Sequence, residues 1–166
     1  MTSTSTYTPK IDPTGDFALN VAENLAELAR AIGEVNVANG WDTSRSMVAD
    51  PDAYDPKWQV SHKIAELGLV DTEVAEAIEE IRHGRAMNEV YYSGGFDMGT
   101  TPGQQRESVD RAGMPRKPEG VPSELADIVI RVLDIADTYR IDLGSAIVQK
   151  LNHNATRGFH HGGKAL

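Results

Sequence analysis

Apolar residues along the chain recur at helical steps in four stretches. Phe17, Val21, Leu25, Leu28, Ile32 and Val35 follow one another at intervals of three and four, which predicts a helix with one buried stripe. Asp12-Pro13 offers a cap and a proline suited to the first helical position, and Asn39-Gly40 offers a stop. Asp55-Pro56 repeats the opening signal for a second helix, with Ile64, Leu67, Val74, Ile78 and Ile81 as its core face. Arg82 and His83 sit in its last turn and Gly84 follows, a helix end by charge and by conformational freedom. Gly68 lies in its middle, where a kink or a break is expected. A third helix runs from near Pro122 to about Tyr139, and a fourth from the cap Asp142 to near Asn154. The third is apolar around most of its circumference, so it is expected to be buried on most sides. No stretch alternates with a period of two, so the fold class is all-α and bundle-like.

The connecting segments are uneven. Residues 41–54 are polar and turn-rich. Residues 84–121 hold seven glycines and three prolines, a long inserted loop between the second and third helices of the kind that carries function or lacks order. The ends read as a flexible tail over 1–12 and a basic, glycine-rich tail over 158–166, leaving 13–157 as one domain without internal repeats.

Chemistry concentrates on the two middle helices. Glu124, Asp127, Arg131 and Asp134 follow at steps of three, four and three, so they share a stripe on the most apolar helix of the chain. An isolated carboxylate there costs several kcal/mol, and Arg131 neutralises only part of the stripe. The second helix offers Glu73 and Glu76 on one face, about 5–6 Å apart at Cβ, with Glu66 and Glu80 extending the row. Two helices that each project a carboxylate pair into one gap form an all-oxygen site, which selects Mg2+, with Mn2+ as a substitute. The plain alternative is a solvated acidic face. On the fourth helix Lys150, Asn154 and Arg157 follow at steps of four and three, and Lys164 ends a Gly-Gly-Lys. Such a cationic strip suits phosphates, although basic residues at a helix C-terminus also complement its dipole.

Charge and composition narrow the partners. A net charge of −9 argues against a nucleic-acid binder, which needs a basic surface; an acidic protein handles a polyanion through a bound cation or a few focused bases. With no cysteine in the chain, thiolate catalysis and thiolate metal sites are excluded. The most apolar stretch, 124–136, is short and carries charges, so no membrane span is expected. The opening residues lack the pattern of a secretory signal, and the expected location is the cytoplasm.

Two blocks, KIAELGLVDTEVAEAIEEIRHG (63–84) and KPEGVPSELADIVIRVLDIADTYRIDLGSAIVQKLNHNATRGFHHGGK (117–164), resemble the MazG-like nucleotide pyrophosphohydrolases of the all-α NTP pyrophosphatase superfamily. That family's motif is two adjacent glutamates, two variable residues and a third glutamate, then Glu-x-x-Asp on the next helix. Glu73 and Glu76 fill the second and third acidic positions, and Glu124 and Asp127 the later pair. Thr72 stands where the first glutamate would be, and the stretch between the halves is longer than the family's. The resemblance implies the family fold, Mg2+-dependent cleavage of an NTP or dNTP to the monophosphate and pyrophosphate, and a homodimer or dimer of dimers. It implies Glu73, Glu76, Glu124 and Asp127 as metal ligands and Glu73 or Glu76 as the group that activates water. Lys150, Asn154, Arg157 and Lys164 would hold the substrate, and Arg131 and Asp134 would steady the ligands. Trp41 and Trp58 are candidates for stacking on the base.

Two other classes compete. A di-iron carboxylate bundle uses Glu-x-x-His on two helices, and the chain has one such spacing, Glu80 to His83. A non-enzymatic helical interaction module would carry the same acids as a wetted face.

Overall fold

The computed structural model describes residues 10–92 and 116–156. Among them are five α-helices: α1 (Asp16–Ala38), α2 (Thr43–Ala49), α3 (Pro56–Arg82), α4 (Val121–Thr138) and α5 (Leu143–Ala155). A short 3-10 turn spans Pro51–Ala53, and the strands β1 (Tyr91–Tyr92) and β2 (Pro118–Glu119) pair antiparallel, Tyr91 opposite Glu119. The protein is therefore of the all-α class with one minimal ribbon. No helix among the described residues is long and apolar enough to cross a membrane.

Three of the four expected helices keep their predicted starts. The Asp55 carboxylate accepts from the backbone N–H groups of Lys57 and Trp58, with Pro56 at the first helical position. Asp142 accepts from Ser145 N at 3.0 Å and opens α5. α4 begins one residue before Pro122. The first helix differs. Its N-cap is Gly15, because Asp12 turns back on its own backbone and accepts from Thr14 N and Thr14 Oγ1. Such a local Asx turn competes with capping. The 41–54 segment, expected as turns, contains α2, whose Met47 is 1% exposed. Seven residues are too few for a periodic signal, so burial of one methionine decides that helix. α3 runs unbroken through Gly68, against the expected kink. The long loop carries the ribbon at its two described ends; its centre, 93–115, and the tails 1–9 and 157–166 lie outside the described residues.

The chain forms two compact units, one of residues up to Ala49 with those from Leu133 on, the other of Asp50–Val132. In the first, α5 lies on α1 so closely that a Cβ at Gly144 would strike the Ala22 Cα. Asn152, buried on α5, accepts from Ile11 N and donates to Ile11 O. Arg45 bridges Asp134 at 2.7 Å and Asp137 at 2.8 Å, and a Cβ at Gly33 would drive into its guanidinium. Leu133, Ala136 and Val148 complete this core.

In the second unit, Gly120 takes φ +102 where a Cβ would collide with the Glu89 carbonyl. This turn delivers β2 into α4, and its carbonyl accepts from Ser123 N and Glu124 N. The stripe expected as the core face of the second helix is solvent-facing: Ile64, Leu67, Val74, Ile78 and Ile81 are each 41–65% exposed. The buried face of α3 adjoins that stripe, roughly a quarter turn round the helix, and is marked by Glu73 and Ala77. Likewise Phe17, Leu28 and Val35 on α1, and Leu125, Val129 and Ile130 on α4, are exposed. Small residues (Ala18, Ala29, Gly33) hold the contact face of α1 instead.

Candidate metal centre

The buried face of α3 meets the first turn of α4. Glu73 is 7% exposed and Glu124 4%, a rare state for glutamates without a partner. With Glu76 they offer carboxylate oxygens that all lie within 4.8 Å of one another. The helical step of three sets Glu73 beside Glu76. Glu124 is held by its own backbone N–H, bonded to the Gly120 carbonyl at 3.2 Å. Glu73 is oriented by Arg131, whose Nε donates to its Oε1 at 3.0 Å.

The electrostatics of this trio are strained. Burial pushes the Glu124 carboxyl above its usual range, and the charge of Glu76 adds to that push, as do those of Asp127 and Glu119. Lys117 opposes it. The Lys117 Nζ sits 2.9 Å from Glu119 Oε2. That bond, then the charges of Glu124 and Glu76, hold the Lys117 ammonium above its ordinary value. Three convergent carboxylates thus face two cations, and all the donors are oxygens, a set suited to a hard divalent ion.

The structure sorts the predicted residues unevenly. Glu73, Glu76 and Glu124 converge, and Arg131 steadies one of them. Asp127, one turn along α4, is half-buried and adds charge at Glu124, but the close trio does not include it. Asp134 is engaged by Arg45 in the first unit. The Thr72 hydroxyl donates to the Leu69 carbonyl of its own helix at 2.7 Å. Lys150 and Asn154 are exposed on α5 in the first unit, and Arg157 and Lys164 lie outside the described residues. Trp41 is exposed just past α1. Trp58 is stacked between Tyr54 and His62, with ring centroids 5.1 and 4.8 Å away. It also lies fifteen residues before Glu73 on one unbroken helix, about 22 Å away, too far to stack within the same chain on a base whose phosphates reach the trio. Glu80 accepts from the Tyr91 hydroxyl at 2.9 Å, so the lone Glu80–His83 pair ends α3 against the ribbon.

Lys117 and Glu119 escaped the sequence reading. Both lie in the KPEG segment that opens the second block of the resemblance, Lys117 seven residues before Glu124, but neither was singled out as a site residue. It took the β2–Gly120–α4 turn to bring them to the acids.

The fold and this cluster define an all-α protein with an acidic trio able to hold a metal ion, whose identity the geometry leaves to chemistry. Comparison with family models, with curated proteins and with solved structures finds no match to this chain.

Proposed function

We propose that the trio is the metal site of a Mg2+-dependent nucleotide pyrophosphohydrolase of MazG-like type, cleaving a nucleoside triphosphate to its monophosphate and pyrophosphate. The observation that carries this is the convergence of Glu73, Glu76 and Glu124 within 4.8 Å on the two helices that bear the motif. The fit to Mg2+ rests on charge and donor type: buried carboxylates crowd one another, Glu124 is already pushed toward its proton, and every donor is a hard oxygen. When bound, Mg2+ polarises the phosphate chain and makes water more acidic.

The side chains divide the work by exposure. Glu73 and Glu124, buried, would hold the cation. Arg131 fixes the free direction of Glu73, as an outer partner of a ligand does. Glu76 is exposed, so it takes the proton of the attacking water. Water adds to the α-phosphorus, the bond from that phosphorus to the bridging oxygen breaks, and pyrophosphate leaves with the bond's electron pair. Lys117, with 61% of its side chain exposed, is the cation of the second unit best placed to meet the departing phosphates. Asp127 tunes the field at Glu124.

The test is an assay of the purified chain against the eight common NTPs and dNTPs with Mg2+, reading pyrophosphate. Release that disappears in Glu76→Ala and in Glu124→Gln, and falls in Asp127→Ala, supports the proposal. Unchanged turnover in the first two variants ends it.

A further inference from the structure

A cavity of about 240 Å³ opens in the first unit, between α1 and the turn that joins α4 to α5. None of Glu73, Glu76 and Glu124 lines it. Its floor is apolar, built from Leu25 and Ala29 of α1 and Leu133 and Ala136 of α4. Ala29, Leu133 and Ala136 are each 5% exposed or less, so the floor belongs to the core of the unit. The small side chains of α1 that admit α5 so closely at Ala22 leave this space one turn further on. A cavity of about 150 Å³ is enough to hold benzene. Concave apolar sites with a few fixed polar groups are where small molecules bind.

Charge at the rim chooses the ligand. Four charged side chains line the cavity: Arg30, Asp137, Arg140 and Asp142. The two acids are engaged within the chain. Asp137 Oδ2 accepts from Arg45 Nη1 at 2.8 Å, and Asp142 Oδ1 accepts from Ser145 N at 3.0 Å. The two arginines are exposed, and neither guanidinium has an ion pair or hydrogen bond among the described residues. A guanidinium presents a planar fork that matches a carboxylate. The neighbouring acids repel a dianion such as sulfate or a phosphate ester more than a single negative charge.

Arg140 supplies an independent observation. It takes φ 54, a left-handed conformation that penalises a side chain and usually falls to glycine. No polar contact of its guanidinium among the described residues offsets that penalty, and glycine would make the same turn. Residues held in such conformations cluster at ligand sites. The turn returns Ile141 N to the Ala136 carbonyl at 2.8 Å, which sets Arg140 at the edge of the apolar floor.

We propose that this cavity binds a small monocarboxylate with an apolar body slightly larger than a benzene ring. Arg30 and Arg140 hold the carboxylate, and Leu25, Ala29, Leu133 and Ala136 cover the body.

The probe is 3-phenylpropanoate, titrated into the full chain by calorimetry beside 3-phenylpropan-1-ol and sulfate. The acid should bind saturably, one per chain, and both comparison compounds about tenfold more weakly or worse. Arg30→Met should raise the dissociation constant for the acid about tenfold or more, as loss of a charge-assisted hydrogen bond does. Arg140→Gly should do the same while unfolding at a higher urea concentration than the wild type, so that its loss of binding is not a loss of fold. Several results overturn the proposal: no saturation by millimolar 3-phenylpropanoate, an alcohol that binds as tightly as the acid, sulfate that binds more tightly, or an unchanged affinity in either arginine variant. Glu76→Ala should lose hydrolysis and bind the probe as the wild type does, so the two readings fail separately.

Discussion

Burial, residue by residue, is what distinguishes the carboxylates of the trio. Glu73, Glu76 and Glu124 are the same side chain, yet two are buried and one is exposed. On the proposed reading, that difference separates holding a cation from taking a proton. Arg131 belongs with them through one bond to Glu73 Oε1. Arg131→Met keeps the aliphatic stem and removes the donor. It should weaken Mn2+ binding about 10–100-fold, as loss of a ligand's outer partner does, while the melting temperature of the metal-free protein moves little. Calorimetric titration with Mn2+ measures this, and an unchanged affinity would remove Arg131 from the site. At this scale the sequence was informative for the helical pairs, whose spacing fixes them on one face. It was silent on the role of Lys117, because no periodicity links a residue just before β2 to a helix seven positions on. For Trp58, aromatic character nominated stacking on a base, and in the fold it stacks on Tyr54 and His62.

Elements are set by their ends. Asp55 and Asp142 were readable as caps because a short acceptor before a helix satisfies orphan N–H groups wherever the fold leaves them exposed. The end of α4 was read to within one residue, about Tyr139 against Thr138, but its conformation was not readable. Arg140 holds φ 54, a left-handed conformation, and Ile141 N returns to the Ala136 carbonyl at 2.8 Å. Glycine is the usual residue at such a stop, and a side chain costs roughly 1–2 kcal/mol there. Arg140→Gly should therefore stabilise the protein by about 1 kcal/mol in urea unfolding, net of glycine's greater freedom when unfolded. A loss of stability of that size would mean the Arg140 side chain makes contacts that outweigh the backbone strain. α2 was missed for the opposite reason, being too short for any period to show.

For the molecule as a whole, the unsettled quantity is charge. The chain carries −9 overall, and part of that excess is packed into one buried cluster. A cation that binds only the folded form adds stability by mass action, about 2.7 kcal/mol at a concentration 100 times its dissociation constant. Mg2+ or Mn2+ should raise the melting temperature of the wild type and leave Glu73→Gln/Glu76→Gln/Glu124→Gln unmoved. That neutralised variant should itself melt no lower than the metal-free wild type, since it relieves crowding among acids. Equal shifts in both proteins would place the ion elsewhere.

The sequence by itself determined four of the five described helices, most of their caps, and which carboxylates stand side by side on each helix. These are local properties, fixed by spacing along 3.6 residues per turn and by backbone groups that need partners nearby. Tertiary structure decided which face of each helix is buried. On α3 periodicity found the apolar stripe, but the fold turned Glu73 and Ala77 inward and left Ile64 and Leu67 to solvent. A hydrophobic pattern records only that a surface is to be covered. What covers it depends on other parts of the chain, or on another chain, and no window of sequence contains that.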